Sequence, residues 1–327
     1  MKINLQPIIS PTIPMTILYY VIFFGIYMGF YWLYDFPQVI HGHIGPFAET
    51  LLPSKSLIAN LVTFGIIVLN SMIIAQMNNR FAIIRTRTYL PTFIYLLLSV
   101  CWLPAYGNYV AALGATFALL ALYLSLGMYK DKRSVEQAFL SFFFLALSSF
   151  LIPEFAVLAV VFWLGFAFLN CFSGKVFFAS IFGFITPWTL FFSSLIFIFG
   201  HTDILPEVQE FVTNYSLLNY RNIPTFIYVA IMFFVLITSL IQISANNRQD
   251  SIQTRNMLSF IKILMFAVIL LILFRHSSFV SYMPFAALLF AMLSAYIFTL
   301  LKKQFNSIIF IVLCAVNFIF AFYLLII

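Results

Sequence analysis

Between Asp35 and Ser56 the chain reads DFPQVIHGHIGPFAETLLPSKS, and most of the residue types able to do chemistry gather there. Asp35 follows a long apolar run and sits beside Tyr34 and Trp32. A carboxylate at a membrane edge can act as a general base or hold a cation, and it can equally be a solvated helix end. His41 and His43 lie two apart and, with Asp35 or Glu49, suggest a metal pair. Two imidazoles across one glycine fall short of a ligand set, so neither metal nor cofactor is expected. Glu154 stands in a two-residue turn between short apolar runs, where a charge needs a partner or a polar cavity. Arg221 and Arg275 are the cations suited to pair with it. Arg80, Arg85 and Arg87 form a basic cluster suited to fixing topology and touching anionic lipid. Nucleotide-binding, metalloprotease and hydrolase motifs (GxGxxG, P-loop, HExxH, GxSxG) are absent from the sequence. Cys101, Cys171 and Cys314 share no metal-site or CxxC spacing and read as packing residues.

Composition sets the frame for these residues. Of 327 residues, 64% are hydrophobic and 8% charged, with mean hydropathy +1.09. A soluble domain carries about 25% charged residues. The apolar runs are continuous rather than alternating, which favours helices over a barrel. The expected fold class is therefore all-α: one polytopic membrane domain over 1–327, with no sizeable soluble part. The net charge of +7 is spread over short connections, where it sets orientation and is no sign of nucleic-acid binding.

Eleven spans are predicted, at about 14–34, 57–77, 90–104, 109–129, 135–152, 155–172, 176–200, 223–245, 257–274, 280–301 and 307–327. Ser56 is the expected N-cap of the second, and Ser134 with Gln137 forms a capping-box pattern opening the fifth. Pro187 predicts a kink in the seventh. Residues from about 204 to 220 place Ile204, Val208, Phe211, Val212, Tyr215 and Leu218 on one helical face, as an interfacial amphipathic helix does.

Twelve of the sixteen Lys and Arg fall in one alternate set of connections and three in the other; Lys262 lies inside the ninth span. By the positive-inside rule the N-terminus is cytoplasmic and the C-terminus extracytoplasmic. All four histidines and six of nine acids then lie outside. This collects proton-handling groups on one face, although both long loops also fall on that side. RTYLPTFIY at 87–95 and RNIPTFIY at 221–228 open spans five apart, as inverted transporter repeats would.

Two resemblances follow from these residues. Asp35, the segment HGHIGPFAETLLPSKSLIANL and the later KDKRSVEQAFLSFFFLALSSFLIPEFAVLAVVFWL resemble the front half of GT-C membrane glycosyltransferases. The whole chain also resembles an uncharacterised family of Bacteroidota integral membrane proteins, which implies a bacterial inner membrane. The GT-C resemblance implies that Asp35 accepts a proton from the acceptor. It also implies a polyprenyl-phosphate leaving group met by Arg221 or Arg275. Asn108 stands where many members carry a second acid; an amide orients a substrate but takes no proton. His41, His43, Glu49, Asn108 and Glu154 are the remaining candidates for substrate binding. The expected partners are membrane lipids and a polyprenyl-linked saccharide. A five-span-repeat transporter or flippase, and a non-enzymatic scaffold of a membrane complex, are the alternatives.

Overall fold

The structure, a computed structural model, describes residues 13–34, 53–84, 88–199, 223–246, 250–275, 279–299 and 304–326. These residues form eleven α-helices and no strand. In chain order they are α1 (Ile13–Leu33), α2 (Leu57–Phe81), α3 (Leu90–Cys101), α4 (Tyr109–Gly127), α5 (Val135–Leu151) and α6 (Leu158–Phe168). Then come α7 (Gly174–Phe199), α8 (Ile223–Ala245), α9 (Ile252–Phe274), α10 (Phe279–Thr299) and α11 (Gln304–Ile326). Short 3-10 turns, Leu103–Ala105 and Pro153–Val157, precede α4 and α6. Eight helices are long and apolar enough to cross a membrane; the segments carrying α3, α5 and α6 are shorter. In hydrocarbon only a helix satisfies every backbone polar group within one segment, so such runs fold this way.

Contacts between connections sort into two ends. At one end Thr254 Oγ1 donates to the Ala82 carbonyl, Tyr296 Oη to Asp250 Oδ2, and Ser173 Oγ to the Lys132 carbonyl. Arg80 Nη1 donates to Tyr123 Oη there, at 2.6 Å. At the other end Tyr31 Oη donates to the Lys55 carbonyl, Gly107 lies against the Ser54 backbone, and Glu154 pairs with Arg275. Connections two, four, six and eight thus meet at the first end. Connections one, three, five and nine meet at the second.

The helix at the centre is α10, whose candidate span is 72% buried, against 17% for α1. It packs along α3, α4, α8, α9 and α11. Small residues on it, including Ala286, Ala291, Ser294 and Ala295, let its neighbours approach. Ser239 Oγ of α8 donates to the Leu293 carbonyl of α10. Elsewhere α5 joins α4 and α7. Ser148 Oγ donates to the Gly114 carbonyl and Ser141 Oγ to the Ala121 carbonyl. A Cβ on Gly183 of α7 would collide with the Phe139 backbone of α5.

Two local expectations meet different outcomes. Ser56 caps α2, its Oγ accepting from Ala59 N at 3.4 Å. The capping box at Ser134 does not form. Ser134 Oγ donates backward to the Asp131 carbonyl, and Gln137 Oε1 makes no hydrogen bond among the described residues. The tight turn around Lys130, at φ +61°, brings that carbonyl within reach and takes the hydroxyl from the helix. Pro187 lies inside α7.

Candidate functional site

Asp35, His41, His43, Glu49 and Arg221, together with Arg85 and Arg87 of the basic cluster, lie outside the described residues, as does the segment 204–220. Asn108, Glu154 and Arg275 are described, and all three sit at the second end of the bundle.

Glu154 is the second residue of the turn Pro153–Val157 and is buried. Its Oε1 lies 3.1 Å from Nε of Arg275, the C-cap residue of α9. The partner is therefore the second of the two cations named from the sequence. Next along the chain, Phe155 packs against Tyr282 and Phe285 of α10. The ion pair and this aromatic contact together tie the α5–α6 turn to the ends of α9 and α10.

Asn108 caps α4: its Oδ1 accepts from Ala111 N at 3.0 Å, while Nδ2 makes no hydrogen bond among the described residues. Beside it opens a cavity of about 460 Å³. Its walls come from α3, α8, α9 and α10, with Tyr27 of α1 and Thr63 of α2 at the back. None of its lining residues is charged, and nine are aromatic. Ligand pockets run from about 300 to 1,000 Å³ and are mostly apolar with a few placed polar groups, a description that fits here.

The polar groups of the wall are held in place by residues behind it. Tyr27 Oη donates to Asn60 Oδ1 at 3.1 Å, and the Tyr27 ring stacks on Tyr106 with centroids 4.1 Å apart. Tyr106 Oη donates to the Val100 carbonyl at 2.6 Å. Tyr95 Oη accepts from Asn70 Nδ2, and Tyr228 Oη donates to Asn317 Oδ1 at 2.9 Å. Tyr228 also stacks on Phe320 at 4.0 Å, and Trp102 stacks on both.

Four asparagines therefore support the site or its frame, and the sequence reading passed over them. Asn60, Asn70 and Asn78 lie on the buried side of α2, and Asn317 is buried in α11. Asn60 Nδ2 also holds the Ser54 and Ser56 carbonyls. Asn78 holds the α2–α3 connection through the Thr88 carbonyl and Ile84 N. The signal was present: amides inside apolar runs must find partners, because an unsatisfied polar group in hydrocarbon costs several kcal/mol.

A second, smaller cavity of about 360 Å³ lies between α1, α2 and α3 toward the opposite end, with Gln76 and Asn79 on its rim. Among the described residues no cluster of His, Cys, Asp and Glu has the grouping to hold a metal ion. The cysteines are free thiols, Cys101 and Cys171 buried and Cys314 half-buried.

The five-span repeat is not carried through in the packing. In the first half α2 lies along α3 and α4; its counterpart α7 lies along α5. The two PTFIY segments do run in opposite senses, since Trp102 just past α3 meets Tyr228 near the start of α8. Comparison with family models, with curated proteins and with solved structures gave no match.

Proposed function

We propose that this is a multi-pass membrane protein that holds a lipid by its apolar chain in the cavity beside Trp102 and Asn108. The observation that carries the reading is that cavity, about 460 Å³ of space with no charged residue in its lining. Saturated or isoprenoid chains already lie in hydrocarbon, so close packing rather than release from water holds them, and an uncharged wall takes them without desolvating a charge. The headgroup then lies at the end of the bundle that carries Asn108, Glu154 and Arg275. A lipid-linked sugar or polyprenyl carrier, the substrate implied by the GT-C resemblance, is one chemistry with this division between chain and head. Transfer of the sugar would fall to Asp35. All eleven helices cross the bilayer in this reading, with the N-terminus in the cytoplasm and the cavity toward the extracytoplasmic face. The two-ended sorting of the connections supports it, as does the excess of Lys and Arg at the first end.

A photoactivatable lipid with the reactive group on its chain tests the proposal on the purified full chain. Crosslinked peptides are expected from Phe226–Leu236 and Phe279–Phe290. Crosslinks confined to outward faces, such as Phe182 or Ile319, would reject it. Replacing Ala287 with Trp fills the cavity and is expected to remove the inner crosslinks while leaving the outer ones.

A further inference from the structure

Most of the polar side chains of the cavity wall have partners within the protein. Tyr27, Thr63, Tyr95, Tyr106, Asn108 and Tyr228 each have a hydrogen-bond partner in the protein. Trp102 is 7% exposed, and its Nε1–H, a donor with no acceptor capacity, has no partner among the described residues. Aromatic rings surround the indole: Tyr228 and Phe320 stack on it, and Phe279 meets it edge-on at 5.5 Å. Leaving such a donor dry is unfavourable, and buried indole N–H groups ordinarily find an acceptor.

We infer that the occupant supplies this acceptor, and that it is the ester carbonyl of an acyl lipid. The inference rests on the reading of the cavity as a lipid-chain site. Trp102 follows the last residue of α3; in the eleven-span reading this puts it near the membrane interface, where an acyl ester also lies with its chain running inward. A phosphate oxygen would also accept the bond, but it would bring a charge against a wall that holds none. A neutral carbonyl satisfies the donor without that penalty. Nε1 is buried, so the carbonyl reaches it only as the packing around the indole edge opens.

The test compares two phosphatidylglycerols of equal chain length, one ester-linked and one ether-linked, binding to the purified full chain in detergent. One net hydrogen bond corresponds to roughly a fivefold preference for the ester lipid. Trp102→Phe leaves a smaller aromatic ring in the stack and removes the N–H; whatever that does to overall binding, its two affinities should coincide. Equal affinity in the unsubstituted protein would overturn the inference, and this arm does not depend on the variant folding. Stronger binding by a polyprenyl phosphate that displaces both glycerolipids would also overturn it, while leaving the cavity a lipid site. If Ala287→Trp leaves both affinities unchanged, the lipid lies elsewhere and the reading of the cavity itself fails.

Discussion

Glu154 Oε1 and Arg275 Nε approach to 3.1 Å across more than a hundred residues of sequence, joining the turn before α6 to the end of α9. Removing either partner leaves the other charge in a poorly solvated place. Glu154→Gln and Arg275→Gln should each cost about 2 kcal/mol, below the ~3–5 kcal/mol of a fully buried pair because Arg275 keeps some exposure. Thermal unfolding in detergent measures this. The double variant should be less unstable than the sum of the two, and strict additivity would show that the groups do not interact.

Tyr27→Phe removes the hydroxyl that α1 places on Asn60 while keeping the stack on Tyr106. A net loss of about 1 kcal/mol is expected. Asn60→Ala should cost more, because it also frees the carbonyls of Ser54 and Ser56. The same two variants should increase proteolysis within residues 53–56, and an unchanged digestion pattern would separate Asn60 from that segment.

Tyr106 lies in the turn between α3 and α4, and burial pushes its phenol well above its ordinary range, with Tyr27 and Cys101 adding to the effect. The fold holds the neutral phenol. Its contribution to stability is therefore complete below the unfolded value of about 10 and is lost as pH rises beyond it. The tyrosinate absorbance of the folded protein should be the same with and without Tyr106→Phe up to pH about 11. A difference appearing near pH 10 would mean that the phenol ionises in the folded state.

Gly183 and Gly65 make opposite predictions. A side chain at 183 meets the Phe139 backbone, which has no rotamer to move, so Gly183→Val should separate α5 from α7 at about 3 kcal/mol or more. At Gly65 nothing lies within 4 Å of a new Cβ, and Gly65→Ala should be neutral or stabilising by up to ~1 kcal/mol. Melting temperatures of the two variants in one detergent decide the comparison.

Single cysteines placed at Lys132 and Lys55 should label from opposite sides of sealed vesicles, with Lys132 facing the cytoplasm. Labelling of both from one side would break the alternation on which the eleven-span reading stands.

Much of the architecture was legible because hydrocarbon admits few solutions. Apolar runs gave the helices, Ser56 gave a cap, and Pro91 stands in the first turn of α3 as its φ requires. The need of Glu154 for a cation narrowed its partner to two. Other features were hidden for a physical reason. Lipid and protein interior are equally apolar, so hydropathy does not mark α10 as a helix surrounded by others; its small residues were the one available signal. The cavity draws on α3, α8, α9 and α10, which meet only in three dimensions. The serine at 134 misled because its hydroxyl had two acceptable partners, and the shape of the preceding turn decided between them.

The position of α10 bears on how the bundle is made. It is the tenth of the eleven described helices in chain order, yet α3 and α4, far earlier in the chain, rest against it. Those earlier helices keep an unfilled flank until residues 279–299 have been synthesised. Chains halted before residue 279 should accumulate as half-built bundles, open to proteases and to insertion chaperones.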